Sequence, residues 1–268
     1  MDKTPYTWYF LISAAIFTFA VISLAILMFI QYLKRKTLGT LLLTLTYNAM
    51  AIGEILNTIG LFYFVFISQT SNISGFLELS FVLFYGLSYI YLYFFANRHI
   101  LEDNIFIISQ TSVILTSIVI AFSVLMFVEL SINPSKSNFY MSFLMEGPNI
   151  IQYTPSLISG AIIFIPIFLF VHLRIAIGLF KMKRKVEDYL TKKGLNFIFI
   201  AIIGFFTSSL IASAFIIPNV GSFPAVITIL HTLRMISIGI GILFGNLGWI
   251  MPKWITNYIK KRIKTDNN

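Results

Sequence analysis

Long apolar stretches of this 268-residue chain contain ionisable side chains, among them Glu54, Glu78, His231 and Arg234. Each stretch is long enough to cross a bilayer. A charge at that depth raises the free energy of membrane insertion, so it is expected to face protein or water and to serve a function. Such groups bind ligands, relay protons or fix the register of two helices.

The rise of an α-helix, about 1.5 Å per residue, gives the depth of each group. Glu54 and Arg234 lie at one level, roughly 3 to 5 Å outward of the membrane centre. Glu78 and His231 lie at a second level, about 9 to 11 Å outward. We therefore predict that Arg234 pairs with Glu54 and that His231 approaches Glu78, in an outward-facing polar cavity between the second, third and seventh helices. A buried ion pair that only fixes helix register is the alternative.

Three further polar side chains are predicted to line this cavity. Asn57 lies beside the helical face that carries Glu54, and Tyr85 and Tyr89 share a stripe of the third helix with Glu78. Tyrosines this deep in a span need partners for their hydroxyls, which makes them ligand-binding candidates. The same spacing is also typical of core residues.

Three glycines of the seventh helix, Gly241, Gly245 and Gly248, recur at spacings of four and three. They share one side of the helix, so they predict a face on which another helix packs closely. If that face met lipid, it would indicate a structural or assembly subunit.

Little in the sequence points to a catalytic or cofactor site. The chain has no cysteine and three histidines without clustered spacing, so we expect no metal site and no enzyme. His172 and His231 differ in depth by about 13 Å, which is poor for two axial ligands of one haem. Arg174, nearer the basic side, is expected to extend its side chain to the lipid headgroups.

The elements that must position these residues are membrane-spanning helices. The chain is 58% hydrophobic and 11% charged, against roughly 45 to 50% and about 25% in soluble domains. Apolar windows predict an all-α, polytopic bundle of seven transmembrane helices over residues 1–252. Their approximate ranges are Trp8–Tyr32, Leu38–Phe66, Gly75–Phe95, Ile105–Leu130, Ile158–Phe180, Leu195–Ile217 and Ala225–Trp249.

The basic residues predict the orientation. Of 19 Lys and Arg, only Lys3 and Lys136 fall on one side, only Arg174 and Arg234 lie inside spans, and the rest lie on the other side. Because cytoplasmic loops carry the positive charge, the N-terminus is predicted outside and the C-terminus in the cytoplasm. The net charge of +9 is thereby explained by topology, without nucleic acid as a partner.

The cytoplasmic side offers two candidate contact segments. Residues 253–268 form a basic amphipathic tail suited to an anionic leaflet of membrane lipids. The loop Lys181–Lys193 is the other, and either segment could instead recruit a cytoplasmic signalling partner.

Seven helices in this orientation resemble the topology of microbial rhodopsins and of G-protein-coupled receptors. No lysine lies in the seventh helix, so no retinal is expected, and Asn97-Arg98-His99 matches the receptor triplet only at its arginine. The topology also resembles the seven-helix sensor regions of prokaryotic receptors such as histidine kinases.

That last resemblance implies a receptor-like sensor in a prokaryotic cell membrane, which binds a small or lipid-like ligand and signals through a separate partner. The alternatives are a small transporter or channel component, with Glu54, Glu78, His231 and Arg234 as a proton or substrate relay, and a structural membrane subunit.

Overall fold

The computed structural model describes residues 5–67, 72–101, 103–132, 155–214, 224–251 and 255–259, which are almost entirely helical and contain no strand. The prediction of an all-α protein is confirmed. The long helices are α1 (Pro5–Arg35), α2 (Leu38–Phe66), α3 (Asn72–Ala96), α4 (Ile105–Ile132), α5 (Pro155–Lys185), α6 (Tyr189–Ala214) and α7 (Pro224–Ile250). The π-helical turn Asn97–Leu101 continues α3.

Among the described residues, six helices are long and apolar enough to cross a membrane. These stretches are Trp8–Arg35, Leu38–Tyr63, Leu79–Leu101, Ile105–Val128, Tyr189–Ile211 and Thr228–Ile250. They support the prediction of an integral membrane protein. α5 is not one of the six, because its described side chains, residues 168–185, include Arg174 and a basic cluster at Lys181–Lys185.

The helices form a closed ring in chain order. Each of α1 to α7 packs against the next along the sequence, and α7 packs against α1 to close the ring. Short connections explain the pairs α1–α2, α2–α3, α3–α4 and α5–α6, since neighbours joined by a few residues must lie side by side. In the two-residue link between α1 and α2, Lys36 adopts φ 49° and donates its N–H to Tyr32, and the Thr37 side chain caps α2.

Two apolar clusters fill the ring. One joins α1, α2 and α7 around Leu24, Tyr47 and Ile242, and the other joins α3 to α6 around Tyr93 and Ile175. Side chains that face outward are large and apolar, such as Phe19 with 74% of its surface exposed. An apolar exterior is the pattern expected of helices that face lipid.

The close approach of α6 to α7 is set by glycines. A Cβ at Gly204 would lie 2.7 Å from the carbonyl oxygen of Ser237, and one at Gly248 would lie 2.8 Å from the backbone nitrogen of Ile198. A Cβ at Gly241 would meet the Phe205 ring at 3.0 Å. The predicted packing face of α7 thus lies against α6, with the next glycine of the stripe, Gly245, in looser contact.

Only five residues of the predicted tail are described, the helical residues 255–259. Ile255 and Ile259 are buried and Tyr258 is exposed, so this turn has one apolar side. The basic residues of the tail lie outside the described residues.

Candidate functional site

Glu54 on α2 is buried, with only 2% of its surface exposed. Its carboxylate accepts a hydrogen bond from the Tyr85 hydroxyl of α3 at 2.5 Å and another from the Asn57 amide nitrogen at 3.3 Å. Gly53 makes room for this contact, because a Cβ there would lie 3.1 Å from the Tyr85 ring. Three of the predicted site residues therefore meet where α2 packs on α3.

Arg234 extends into the same interior from α7. It interacts electrostatically with Glu54, Tyr85 and Tyr89, but within the described ranges no salt bridge joins it to Glu54. Its Nε is buried and has no hydrogen-bond partner in the part of the chain that is described. In contrast to the prediction, Glu54 and Arg234 share a region without forming an ion pair, since Tyr85 and Asn57 hold the carboxylate.

A cavity of about 240 Å³ lies at the centre of the ring, and every long helix contributes to its wall. Most of the wall is aromatic or aliphatic, and its polar groups are one arginine, two tyrosines and two serines. The lining residues are Phe17, Met50, Phe81, Val82, Tyr85, Tyr89, Phe122, Phe168, Phe205, Ser208, Ser209, Arg234 and Ile238. The cavity is thus lined by more helices, and is more apolar, than the predicted polar space between three helices.

The polar groups of the wall lie on α3, α6 and α7. Tyr89 packs its ring on Phe168 with centroids 4.1 Å apart, and its hydroxyl is directed to Ser209. Ser208 lies beside Ser209 on α6, across from the tyrosines. Arg234 is the one cation among the lining residues, so the wall combines a positive charge, hydroxyl donors and aromatic surface.

His231 lies at a different surface of α7, against α1. Its Nε2 is 2.8 Å from the Ser13 hydroxyl, and its ring centroid is 4.3 Å from that of Phe10. One residue further along α7, Thr232 shares a hydrogen bond of 2.6 Å with the Tyr9 hydroxyl of α1. The predicted approach of His231 to Glu78 stays a prediction, because the Glu78 side chain lies outside the described residues.

Arg174 on α5 forms a salt bridge with Asp103, which lies in the short link between the π-helical turn of α3 and α4. One guanidinium nitrogen, Nη2, donates to both carboxylate oxygens at 2.7 and 2.8 Å. The arginine is therefore held by a carboxylate, in contrast to the expectation that it extends to the headgroups.

His172, two residues before Arg174, is almost fully buried and lies edge-on to Tyr89, with its Nδ1 2.9 Å from the Phe168 carbonyl oxygen. Within the described ranges, no three His, Asp or Glu side chains come together in a way that could hold a metal ion.

Sequence reasoning missed Asp103, the serine pair Ser208 and Ser209, and the aromatic lining. The serines interrupt the apolar run of α6, so their polarity was a visible signal. Asp103 lies in a short connection beside a basic end, where a lone arginine of a span needs a counter-charge. The aromatic lining carried no signal, because phenylalanine is frequent throughout the chain.

Comparison with known proteins finds no matching family, no matching curated protein and no matching solved structure. The function is therefore inferred from the geometry. A partly buried arginine whose Nε has no hydrogen-bond partner among the described residues, set in an aromatic wall, is suited to bind an anionic group with an apolar body.

Proposed function

We propose that this chain is a receptor-like membrane sensor, whose central cavity binds a small or lipid-like ligand that carries an acidic group. The observation that carries the proposal is Arg234, which points into the aromatic cavity and forms no ion pair with Glu54. Arg234 lies in the helical interior and forms no salt bridge with a described carboxylate, and an acidic ligand would neutralise its charge.

The size and composition of the cavity define the ligand. A volume of about 240 Å³ is below the roughly 300 to 1,000 Å³ typical of drug-sized ligands, so the ligand is small. Phe81, Phe122 and Phe168 supply apolar surface for its body, and Tyr89 and Ser208 supply hydroxyls near its acidic end. A short-chain or aromatic carboxylate fits this description.

The proposal includes the topology. α5 is the seventh span in addition to the six apolar helices, the N-terminus is outside, and the ends rich in Lys and Arg are cytoplasmic. A ligand on Arg234 would act on α7, and the signal would pass to a separate cytoplasmic partner at the loop Lys181–Lys193 or at the tail. The proposed location is a prokaryotic cell membrane.

Two observations favour sensing over the alternatives. A proton or substrate relay needs its polar groups in one line, whereas Glu54 is enclosed by Tyr85 and Asn57, and His231 on α7 packs against α1. A structural subunit held by the glycine face needs that face exposed, whereas Gly241 and Gly248 pack on α6.

Ligand binding can be tested by thermal unfolding of the purified protein with a series of straight-chain carboxylates and the matching alcohols. Ligand at about 100 times Kd contributes about 2.7 kcal/mol to the free energy of unfolding, so a bound carboxylate should raise Tm by several degrees. The matching alcohol should not. Arg234→Gln should lose the shift, and Arg35→Gln, an exposed arginine at the end of α1, should keep it.

Equal stabilisation by acid and alcohol, or an unchanged shift in Arg234→Gln, would contradict the proposal. A second assay separates sensing from transport. In proteoliposomes with an internal pH-sensitive dye, a relay would give a proton flux that Glu54→Gln abolishes, whereas a sensor gives no flux above that of empty liposomes.

A further inference from the structure

A second cavity, of about 490 Å³, lies at the end of the bundle where Lys and Arg are concentrated. It is bounded by the π-helical turn of α3, the link to α4 and the last turns of α5. Gly178 brings α5 close to that turn, since a Cβ there would lie 2.8 Å from Ile100 and 2.9 Å from Leu101. The lining residues are Ile100, Leu101, Asp103, Arg174, Ile177, Gly178, Lys181, Met182 and Lys185.

The charges of this basic pocket favour an anion. Among the described lining residues Arg174, Lys181 and Lys185 are cationic and Asp103 is acidic, so this described part of the lining carries more positive than negative charge. Asp103 is bound through Nη2 of Arg174 alone, which leaves the N–H donors of Nη1 and Nε without hydrogen bonds to described residues. Lysine ammonium and arginine N–H groups together are the donors that proteins use for phosphate oxygens.

An apolar stripe on α5 runs from the pocket toward the membrane centre. Phe170, Leu173, Ile177 and Phe180 recur at spacings of three, four and three and are each 44 to 51% exposed. Such spacing places them on one helix face, and Ile177 also lines the pocket. A charged pocket continuous with an exposed apolar face matches the two parts of a phospholipid.

We propose that the basic pocket binds the phosphate-bearing headgroup of an anionic phospholipid, with the acyl chains along the stripe Phe170–Phe180. Basic pockets between helices on the cytoplasmic side recognise such headgroups, and the adjoining apolar surface distinguishes a lipid from free phosphate. The site is separate from the central cavity, so it does not depend on the ligand proposed for Arg234. It gives Arg174 and the lysines a joint role in lipid binding.

The test is native mass spectrometry of the full-length protein in mild detergent, with phosphatidylglycerol and phosphatidylcholine of identical acyl chains added at equal concentration. Phosphatidylglycerol should bind in preference. Lys181→Gln/Lys185→Gln should weaken that binding roughly tenfold or more, because juxtamembrane lysines supply much of the attraction to anionic headgroups. The control Lys192→Gln/Lys193→Gln removes the same number of charges from the first turn of α6, outside the pocket, and should change binding less than about twofold.

Inorganic phosphate distinguishes the two sources of a phosphate group. At millimolar concentration it should fail to displace phosphatidylglycerol. Displacement at concentrations comparable to the lipid would overturn the lipid assignment, as would equal binding of the two lipids or equal losses in the two double variants. All variants are exposed-surface changes, and their elution as single species checks that they fold.

Discussion

The two arginines inside the apolar helices, Arg174 and Arg234, differ in the partners that compensate their charge. Arg174 on α5 donates to both oxygens of Asp103. Arg234 on α7 has Glu54 in its electrostatic field but forms no salt bridge with it, and its Nε is buried without a partner among the described residues. The Glu54 carboxylate accepts hydrogen bonds from Tyr85 and Asn57 instead.

This difference separates a charge that a carboxylate of the fold compensates from one that forms no ion pair with the described residues. A buried charge that loses its partner destabilises the protein, whereas one without a partner has no such contact to lose. Substitutions at the salt bridge of Arg174 should therefore mainly lower stability, and substitutions of Arg234 should mainly reduce the response to ligand.

The largest expected effect is that of Asp103→Asn, which leaves Arg174 without a counter-charge. Removing one partner of a fully buried pair costs about 3 to 5 kcal/mol, and partial exposure of this pair reduces the expected loss to about 1 to 3 kcal/mol. Arg234→Gln should change the ligand-free stability by less than about 1 kcal/mol, or raise it. Unfolding curves in mixed detergent measure both.

Arg174→Gln in the Asp103→Asn background should restore part of the loss. If Arg234→Gln proved as destabilising as Asp103→Asn, the contrast between the two arginines would be wrong, and Arg234 would have a structural partner.

An intermediate effect is expected from Tyr85→Phe, which removes the hydroxyl that holds Glu54. A hydrogen bond to a charged group contributes about 1.5 to 3 kcal/mol, and because Asn57 still donates to Glu54 the expected loss lies at the low end of that range. The released carboxylate could then turn toward Arg234 and compete with an acidic ligand, so the Tm shift given by carboxylates should shrink. Tyr91→Phe on the same helix is the matched control, and an equal result in the two variants would argue against a positioning role for Tyr85.

The smallest effect concerns Asp188, an exposed carboxylate at the start of α6. Its side chain accepts hydrogen bonds from the Thr191 hydroxyl and from the Thr191 backbone N–H, and these lower its pKa below the ordinary value of 3.8. The stability it contributes is present above its unfolded-state pKa and is lost as pH falls through the lower folded-state value.

Asp188→Asn keeps an acceptor at the helix cap but cannot titrate, so its stability should vary less with pH below about pH 4 than that of the parent. Unfolding curves across that range test this. A pH dependence identical to that of the parent would assign the acid sensitivity to other carboxylates.

The sequence correctly predicted an all-helical fold with helices apolar enough to span a membrane, because this follows from transfer free energies. Apolar windows identify helices without reference to their neighbours. The level of Glu54 relative to Arg234 followed from helix rise, and the two do lie within electrostatic range.

Apolar windows and helix rise do not predict the rotation of each helix about its axis or the order in which the helices pack. Whether Glu54 meets Tyr85 or Arg234 depends on a few tens of degrees of helix rotation, which side chains of several helices decide together. His231 lies against α1 because α7 closes the ring with α1, a long-range contact that no local pattern encodes. The central cavity has the same origin, since its wall draws on every long helix.

The glycine contacts between α6 and α7 have a mechanical consequence. The backbones of α6 and α7 are in contact at Gly204 and Gly248. The two helices cannot rotate relative to one another without a steric clash, so they behave as one rigid unit. The opposite flank of α7 is joined to α1 by side-chain hydrogen bonds at Ser13 and Tyr9, which can break and reform. A displacement of Arg234 would therefore move α6 and α7 as one unit, and the contact between α7 and α1 would open.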